Sequence, residues 1–237
     1  PELLSVSLGA AETTLISLTS AYASFVNGGN KIKPNLISRI QDRRGKTIFK
    51  LSDKKCMGCD KFSNNSEKLP MIQYQNERVY SKETAYQMIS ILEGAVKRGT
   101  AKKLRDLKVP IAGKTGTTNN NYDAWFIGFT SDLVIGVYIG FDSPKTLGKY
   151  ETGSKAALPI FKDFVKNSLY EEDFKEFKIP DTIYLTSLKY DTGLKSSLGG
   201  KNTIIEALKE KDINNIDNNK LISTNSYDKL VKYRQFY

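Results

Sequence analysis

The chain has 237 residues, 39% of them hydrophobic, enough for a large domain with a sizeable core or a domain plus an appendage. It carries 36 Lys and Arg against 26 Asp and Glu, a formal net charge of +10, and no histidine. The missing imidazole excludes Ser-His-Asp and Cys-His nucleophile pairs and HExxH zinc sites, so acid–base chemistry would fall to lysine, tyrosine or a carboxylate. The lysines are scattered and no basic block alternates with exposed aromatics, which argues against nucleic-acid binding. No apolar run reaches the about 20 residues of a membrane span. The chain opens on Pro1 within what reads as an element in progress, so a fragment or processed product is expected, with any anchor or export signal outside it.

Residues 11–26 predict a buried helix, with Leu15, Leu18, Tyr22 and Phe25 at helical spacing, and the NGG at 27–29 predicts a left-handed cap. Residues 35–50 read as a hairpin, LISRI and TIFK joined over DRRG. Residues 51–78 are polar and read as a surface excursion. It contains both cysteines, Cys56 and Cys59; one CxxC is too few for structural zinc, its polar flanks do not suit a thioredoxin-like motif, and a local disulfide is preferred. Ser81 is the expected N-cap of a second helix, lined by Ala85, Met88, Leu92 and Ala95 and ending near Arg98-Gly99.

Three strands follow: about 110–118, then AWFIGFT after a turn at NNNYD, then LVIGVYIGFD after Ser131-Asp132. Their short links predict an antiparallel meander, with Gly128, Gly136 and Gly140 allowing helices to pack closely. Residues 154–169 predict a helix that packs on this sheet. From about 172 the chain reads as a β-rich appendage, with IIEALKEKD as a short helix and an Asn-rich, mobile stretch at 212–226.

The segment AGKTGTT at 112–118 places a cation, hydroxyls and a glycine at the entrance to this sheet. Read alone, Lys114 is a charge on a sheet edge, Thr115 and Thr117 are good strand formers and Gly116 marks a bulge. In context, GKTGTTN followed by DAWFIGF and VIGVYIGFD resembles the transpeptidase domain of class A, bifunctional penicillin-binding proteins. ETTLISLTSAYASFVNGG, VKRGTA at 96–101, ETGSKAALPIF at 151–161 and the DTGL segment are similar to that family in the same order, over roughly residues 3–210.

The resemblance implies an α+β fold, an antiparallel sheet flanked by helices as in penicillin-binding proteins and serine β-lactamases, incomplete in this chain. It implies a transpeptidase part at 1–170 and a small β-rich appendage at 171–237. Lys114 would be catalytic, relaying protons beside the nucleophile and attracting the substrate carboxylate. Thr115 and Thr117 would bind that carboxylate, and Gly116 would let substrate approach. The Thr117 N–H would form half of an oxyanion hole. Trp125 is expected in the core, Arg98, Gly99 and Thr100 near the site, and Glu151 to Ser154 at its rim. The family's S-x-x-K and S-x-N motifs are expected before residue 1. The formal matches here, SDKK at 52–55 and SNN at 63–65, lie in a polar loop that cannot bury a serine beside its lysine.

The implied activity is D,D-transpeptidation of peptidoglycan on the periplasmic, extracytoplasmic face of a membrane, with an anchor outside this chain. The implied partners are D-Ala-D-Ala stem peptides and β-lactams, with no cofactor and no metal. The alternative is a non-catalytic wall-binding or scaffold module built on the same sheet, its basic surface suiting anionic glycan or lipid headgroups. An in-frame S-x-x-K opening a helix upstream would separate the two.

Overall fold

The computed structural model describes residues 4, 6, 9, 11–51, 54–57, 71–74, 77–170, 174–197, 199, 200 and 202–217. Helix α1 spans Leu15–Val26, and the Thr14 hydroxyl caps it by accepting from the Ser17 N–H. It starts four residues after the expected residue 11, at the first of the spaced apolar residues, because the cap lies at Thr14. Its end is a Schellman motif: Gly29 N–H donates to Ser24 O at 2.8 Å and Gly28 N–H to Phe25 O at 3.1 Å, both glycines at positive φ. Only Ser24 of α1 is buried, so the helix is half-buried rather than a core element.

The chain then makes an excursion pinched at its base. Asn30 bridges Arg78, Lys31 N–H donates to Glu77 O at 2.8 Å, and the Arg78 guanidinium donates to Gly28 O. Within it, β1 (Arg39–Gln41) and β2 (Thr47–Lys50) form the expected hairpin, turned by Asp42, whose Oδ1 accepts from the Arg44 and Lys46 N–H groups. The expected loop at 51–78 instead holds a second antiparallel pair, β3 (Lys54–Met57) with β4 (Met71–Tyr74). These strands are four residues each and are joined by a long polar link rather than a two-residue turn, so no tight-turn signal marks the pair. Cys56 is disulfide-bonded; Cys59, Ser52 and SNN lie outside the described residues.

Helix α2 (Lys82–Lys97) begins as expected, Ser81 Oγ accepting from the Thr84 N–H at 3.2 Å. Its buried face is broader than the predicted stripe: Ala85 and Leu92 are joined by Tyr86, Ile89, Gly94 and Val96, while Met88 and Ala95 are half-buried. A 3-10 turn at Lys102–Leu107 leads into β5 (Ala112–Thr117), β6 (Ala124–Phe129) and β7 (Val134–Ile139). They form the expected meander, order β5-β6-β7, with Lys114 opposite Ile127 and Gly116 opposite Trp125.

Strand alternation splits the sheet into two faces. On one, α3 (Ala157–Ser168) packs Leu158, Phe161 and Val165 against Ala124 and Phe126; the Phe126 and Phe161 rings meet edge-on at 4.9 Å. On the other, α1 and α2 cover Ala112, Phe129 and Val134 with Tyr22, Phe25, Tyr86, Ile89 and Leu92. Two glycines permit this packing: a Cβ on Gly128 would lie 2.6 Å from the Phe161 ring, and one on Gly136 would meet Thr19 and Leu15 of α1. Gly140 has another reason. A Cβ there would lie 2.6 Å from Tyr138 Cζ and 2.7 Å from Asp123 Oδ1, so it makes room for the Tyr138–Asp123 hydrogen bond rather than for a helix.

Beyond α3, β8 (Ile183–Lys189) pairs with β9 (Thr203–Lys209), and helix α4 covers Glu210–Asp217. The expected helix at IIEALKEKD is therefore a strand to Lys209 and a helix only afterwards. Its first residues are β-branched and gain a seven-residue partner in β8, which outweighs their helical spacing. Part of the Asn-rich stretch expected to be mobile lies in α4; residues 218–226 lie outside the described residues. The hairpin and the segment leading into it join the main core through Phe177, Ile183 and Ala207, which pack with Tyr86, Ile89 and Phe129.

Polar contacts fix the hairpin on α2: Gln87 Nε2 donates to Ala207 O at 3.0 Å, and Lys209 Nζ to Thr84 Oγ1 at 2.8 Å. Thr182 donates its hydroxyl to Glu83 Oε1 at 2.7 Å. That bond, with the Glu83 N–H, Ser81 and the Lys209 charge, lowers the Glu83 carboxyl from 4.5 to about 2. The contribution of a lowered carboxyl is complete above its unfolded value and is lost as pH falls through the folded one. We expect the Glu83 side-chain carbonyl in an NMR titration to turn near pH 2, and Thr182→Val to move its midpoint toward 4.5. An unchanged midpoint would remove Thr182 as the cause. Among the described residues no helix is long and apolar enough to cross a membrane.

Candidate active site

The segment AGKTGT is strand β5, and β5 is the edge of its sheet among the described residues. Alternation places Lys114 and Gly116 on the face that carries α1, and Thr115 and Thr117 on the face that carries α3. Ala112 and Gly113 are buried, whereas Lys114 and Thr117 are exposed and Thr115 and Gly116 half-buried. The strand thus runs from the core to the surface across the motif.

Each motif residue has a definite partner. Lys114 Nζ donates to the carbonyl of Thr115 at 2.8 Å, one of its three N–H bonds, so the ammonium sits along the strand edge. Thr115 Oγ1 shares a 2.9 Å hydrogen bond with Thr100 Oγ1. Thr117 Oγ1 accepts from the Gly153 N–H at 3.0 Å, and a hydroxyl that accepts in this way keeps its own hydrogen to donate. Gly116 faces Trp125, whose Cβ would be 3.1 Å from an added Cβ.

Of the segments expected nearby, Thr100 touches the motif directly, whereas the Arg98 side chain turns to Glu206 on β9. The 151–154 segment closes against the strand. A Cβ on Gly153 would lie 2.5 Å from both Gly116 O and Trp125 O, so glycine alone lets this loop touch the strand backbone. Trp125 is half-buried, not core. Its ring lies 4.6 Å from that of Tyr138 on the Lys114 face, near the start of β6 and beyond the part of that face where Ile127 and Phe129 are buried.

Nothing in the NNNYD run marks Asn121 apart from its neighbours. At φ 54° it sits in the left-handed region that asparagine tolerates, and its Nδ2 donates to Gly148 O and Lys149 O, each at 2.9 Å. It thereby ties the turn after β5 to the loop that carries Gly153. The NNNYD composition revealed a turn but not the loop that the turn would hold.

The penicillin-binding protein transpeptidase domain model matches residues 2–166, more than half of the chain and the whole of this site. The chain belongs to the penicillin-binding protein transpeptidase family. It is 39% identical over 232 residues to penicillin-binding protein 1A of Rickettsia conorii, covering 97% of this chain and 29% of that protein. It is 35% identical to the Neisseria meningitidis protein of the same name over 80% of this chain and 22% of that one. The chain therefore spans less than a third of these relatives. The crystal structure of penicillin-binding protein 1A from Haemophilus influenzae superposes with a TM-score of 0.70 at 33% identity, over 85% of this chain and 33% of that one. PonA1 of Mycobacterium tuberculosis, solved in complex with penicillin V, shares the fold at a TM-score of 0.56 and 22% identity, over 76% of this chain and 44% of that one. These neighbours establish the α+β penicillin-binding fold for the described residues.

Proposed function

We propose that this chain forms one wall of the acyl-transfer site of a peptidoglycan D,D-transpeptidase. The observation that carries the proposal is the exposed Lys114 on a sheet edge, flanked by hydroxyls anchored by Thr100 and Gly153, in a member of the transpeptidase family. An extended peptide ending in D-Ala-D-Ala would lie along β5 by strand addition. Lys114 would attract its carboxylate and take part in the proton relay. Thr115 and Thr117 would donate hydroxyl hydrogens to that carboxylate, and the Thr117 N–H would face the developing oxyanion, a type of contact whose loss typically costs about 10²–10³ in rate.

The serine nucleophile and its lysine would come from a segment preceding residue 1. Its Oγ would attack the penultimate D-Ala carbonyl, release D-Ala and pass the acyl group to an amine of a neighbouring strand. Residues 1–170 would carry the transpeptidase wall and 171–237 a β-rich appendage, and the site would face the periplasm with its anchor elsewhere. No cofactor or metal enters this scheme.

Intact mass of this purified chain after incubation with penicillin tests the assignment of the nucleophile. No adduct is expected, while the full-length protein gains one penicillin per chain. A stoichiometric adduct on Ser52 would overturn the upstream assignment. A full-length protein that gains none would favour the non-catalytic wall-binding module.

A further inference from the structure

We propose that Glu206, on the C-terminal hairpin, is a positioning residue for carboxylate recognition at Thr115, acting through Arg98 and Thr100. The inference rests on the role given to Thr115 above and adds to the site a residue beyond the span matched by the transpeptidase family model.

The chain of contacts is short and continuous. Glu206 Oε1 accepts from Arg98 Nη2 at 2.7 Å, with the two side chains 21% and 36% exposed. A pair at that depth is screened less than a fully exposed one. The guanidinium reaches β9 by folding back along α2 over Gly94. A Cβ at Gly94 would lie 2.8 Å from the Arg98 Cζ, so the absent side chain forms the channel in which Arg98 lies.

Arg98 is the C-cap of α2, its N–H bonded to Gly94 O at 2.8 Å. Two residues on, Thr100 meets Thr115. Between them Gly99 sits where a Cβ would be 2.8 Å from Ala95 Cα, and Ala101, fully buried, donates its N–H to Ala95 O at 3.0 Å. The turn carrying Thr100 is thus held at its far end by Ala101 and at its near end by Arg98. Thr100 itself is exposed, so its aim depends on those two anchors.

The hairpin is firm enough to serve as the post. Residue 207, next to Glu206, is buried and accepts from Gln87 on α2 through its carbonyl, and Lys209 binds Thr84. Without the carboxylate, Arg98 loses its tether to β9 and the Thr100 hydroxyl loses its fixed aim at Thr115 Oγ1. The donor that Thr115 presents to a substrate carboxylate then becomes one rotamer among several.

The test is saturation kinetics of penicillin acylation in the full-length protein, separating the apparent binding constant from the limiting acylation rate. Glu206→Ala is expected to raise the binding constant about threefold to tenfold while the limiting rate stays within about twofold. Thr100→Val should do the same, and the double variant should show no further loss, since both act on one contact. Glu206→Gln, which keeps an oxygen for Arg98, should recover most of the binding.

A wild-type binding constant in Glu206→Ala would overturn the proposal, as would losses that multiply in the double variant. So would a reduced fraction of acylable protein with an unchanged binding constant, the signature of a folding role alone. Thr115→Val separates the two levels. If it raises the binding constant and Glu206→Ala does not, the brace alone fails; if it has no effect, the role of Thr115 fails first.

Discussion

Penicillin acylation of the full-length protein is expected to fall by about 10²–10⁴ on Lys114→Ala, with the unfolding temperature unchanged. The side chain is exposed and makes one hydrogen bond, to the carbonyl of the next residue. Surface changes of this kind usually alter stability by less than about 0.5 kcal/mol. The function proposed for the ammonium is electrostatic and protonic, and alanine supplies neither. Lys114→Arg is not expected to restore the rate, because guanidinium holds its proton too tightly to relay it. Burst acylation measured beside a thermal melt checks both halves. A normal rate in Lys114→Ala would sink the role of this residue, and a lost rate with a lowered melt would leave folding as the cause.

The second large effect concerns a residue with no side chain. Gly153→Ala is expected to destabilise the protein by about 1–3 kcal/mol, the usual cost of overpacking a tight contact. It should also slow acylation by about 10²-fold, the scale of a roughly 1 Å misplacement of a positioning group. The new Cβ would lie 2.5 Å from Gly116 O and Trp125 O, and backbone atoms cannot swing aside as a side-chain tip can. The loop must retreat, and the Gly153 N–H then leaves Thr117 Oγ1. Asn121→Ala, which frees the same loop from its other end, should reproduce part of the rate loss with no steric clash. If Gly153→Ala acylates normally, the loop does not position Thr117.

The meander was legible because its signals are local and agree with one another. WFIGF and VIGVYIGF are dense and apolar, and their links carry Asn, Ser and Asp where the chain must turn. Ser81 as a cap and the glycines after α1 were legible for the same reason: a hydroxyl beside orphan N–H groups, and a backbone that must enter the left-handed region, each leave one residue type as the best solution. β3 and β4 were not legible, since each is only four residues long and a long polar link, not a tight turn, joins them. Nor was β9, whose IIEAL suits a helix until β8 supplies the pairing.

For the site, the sequence by itself determined the chemistry available: a lysine and two hydroxyls around a glycine, in a chain with no histidine to do the work instead. It also determined that these residues lie on a strand. Which partners they meet was decided only by the tertiary structure. Thr100, Gly153 and Asn121 come from three separate segments, and Glu206 from a fourth more than a hundred residues beyond α2. Their roles depend on close approach between backbones and on one ion pair, and such contacts leave no periodic trace in the chain. A glycine that admits a loop is spelled the same way as one that ends a helix, and only the atoms around it tell them apart.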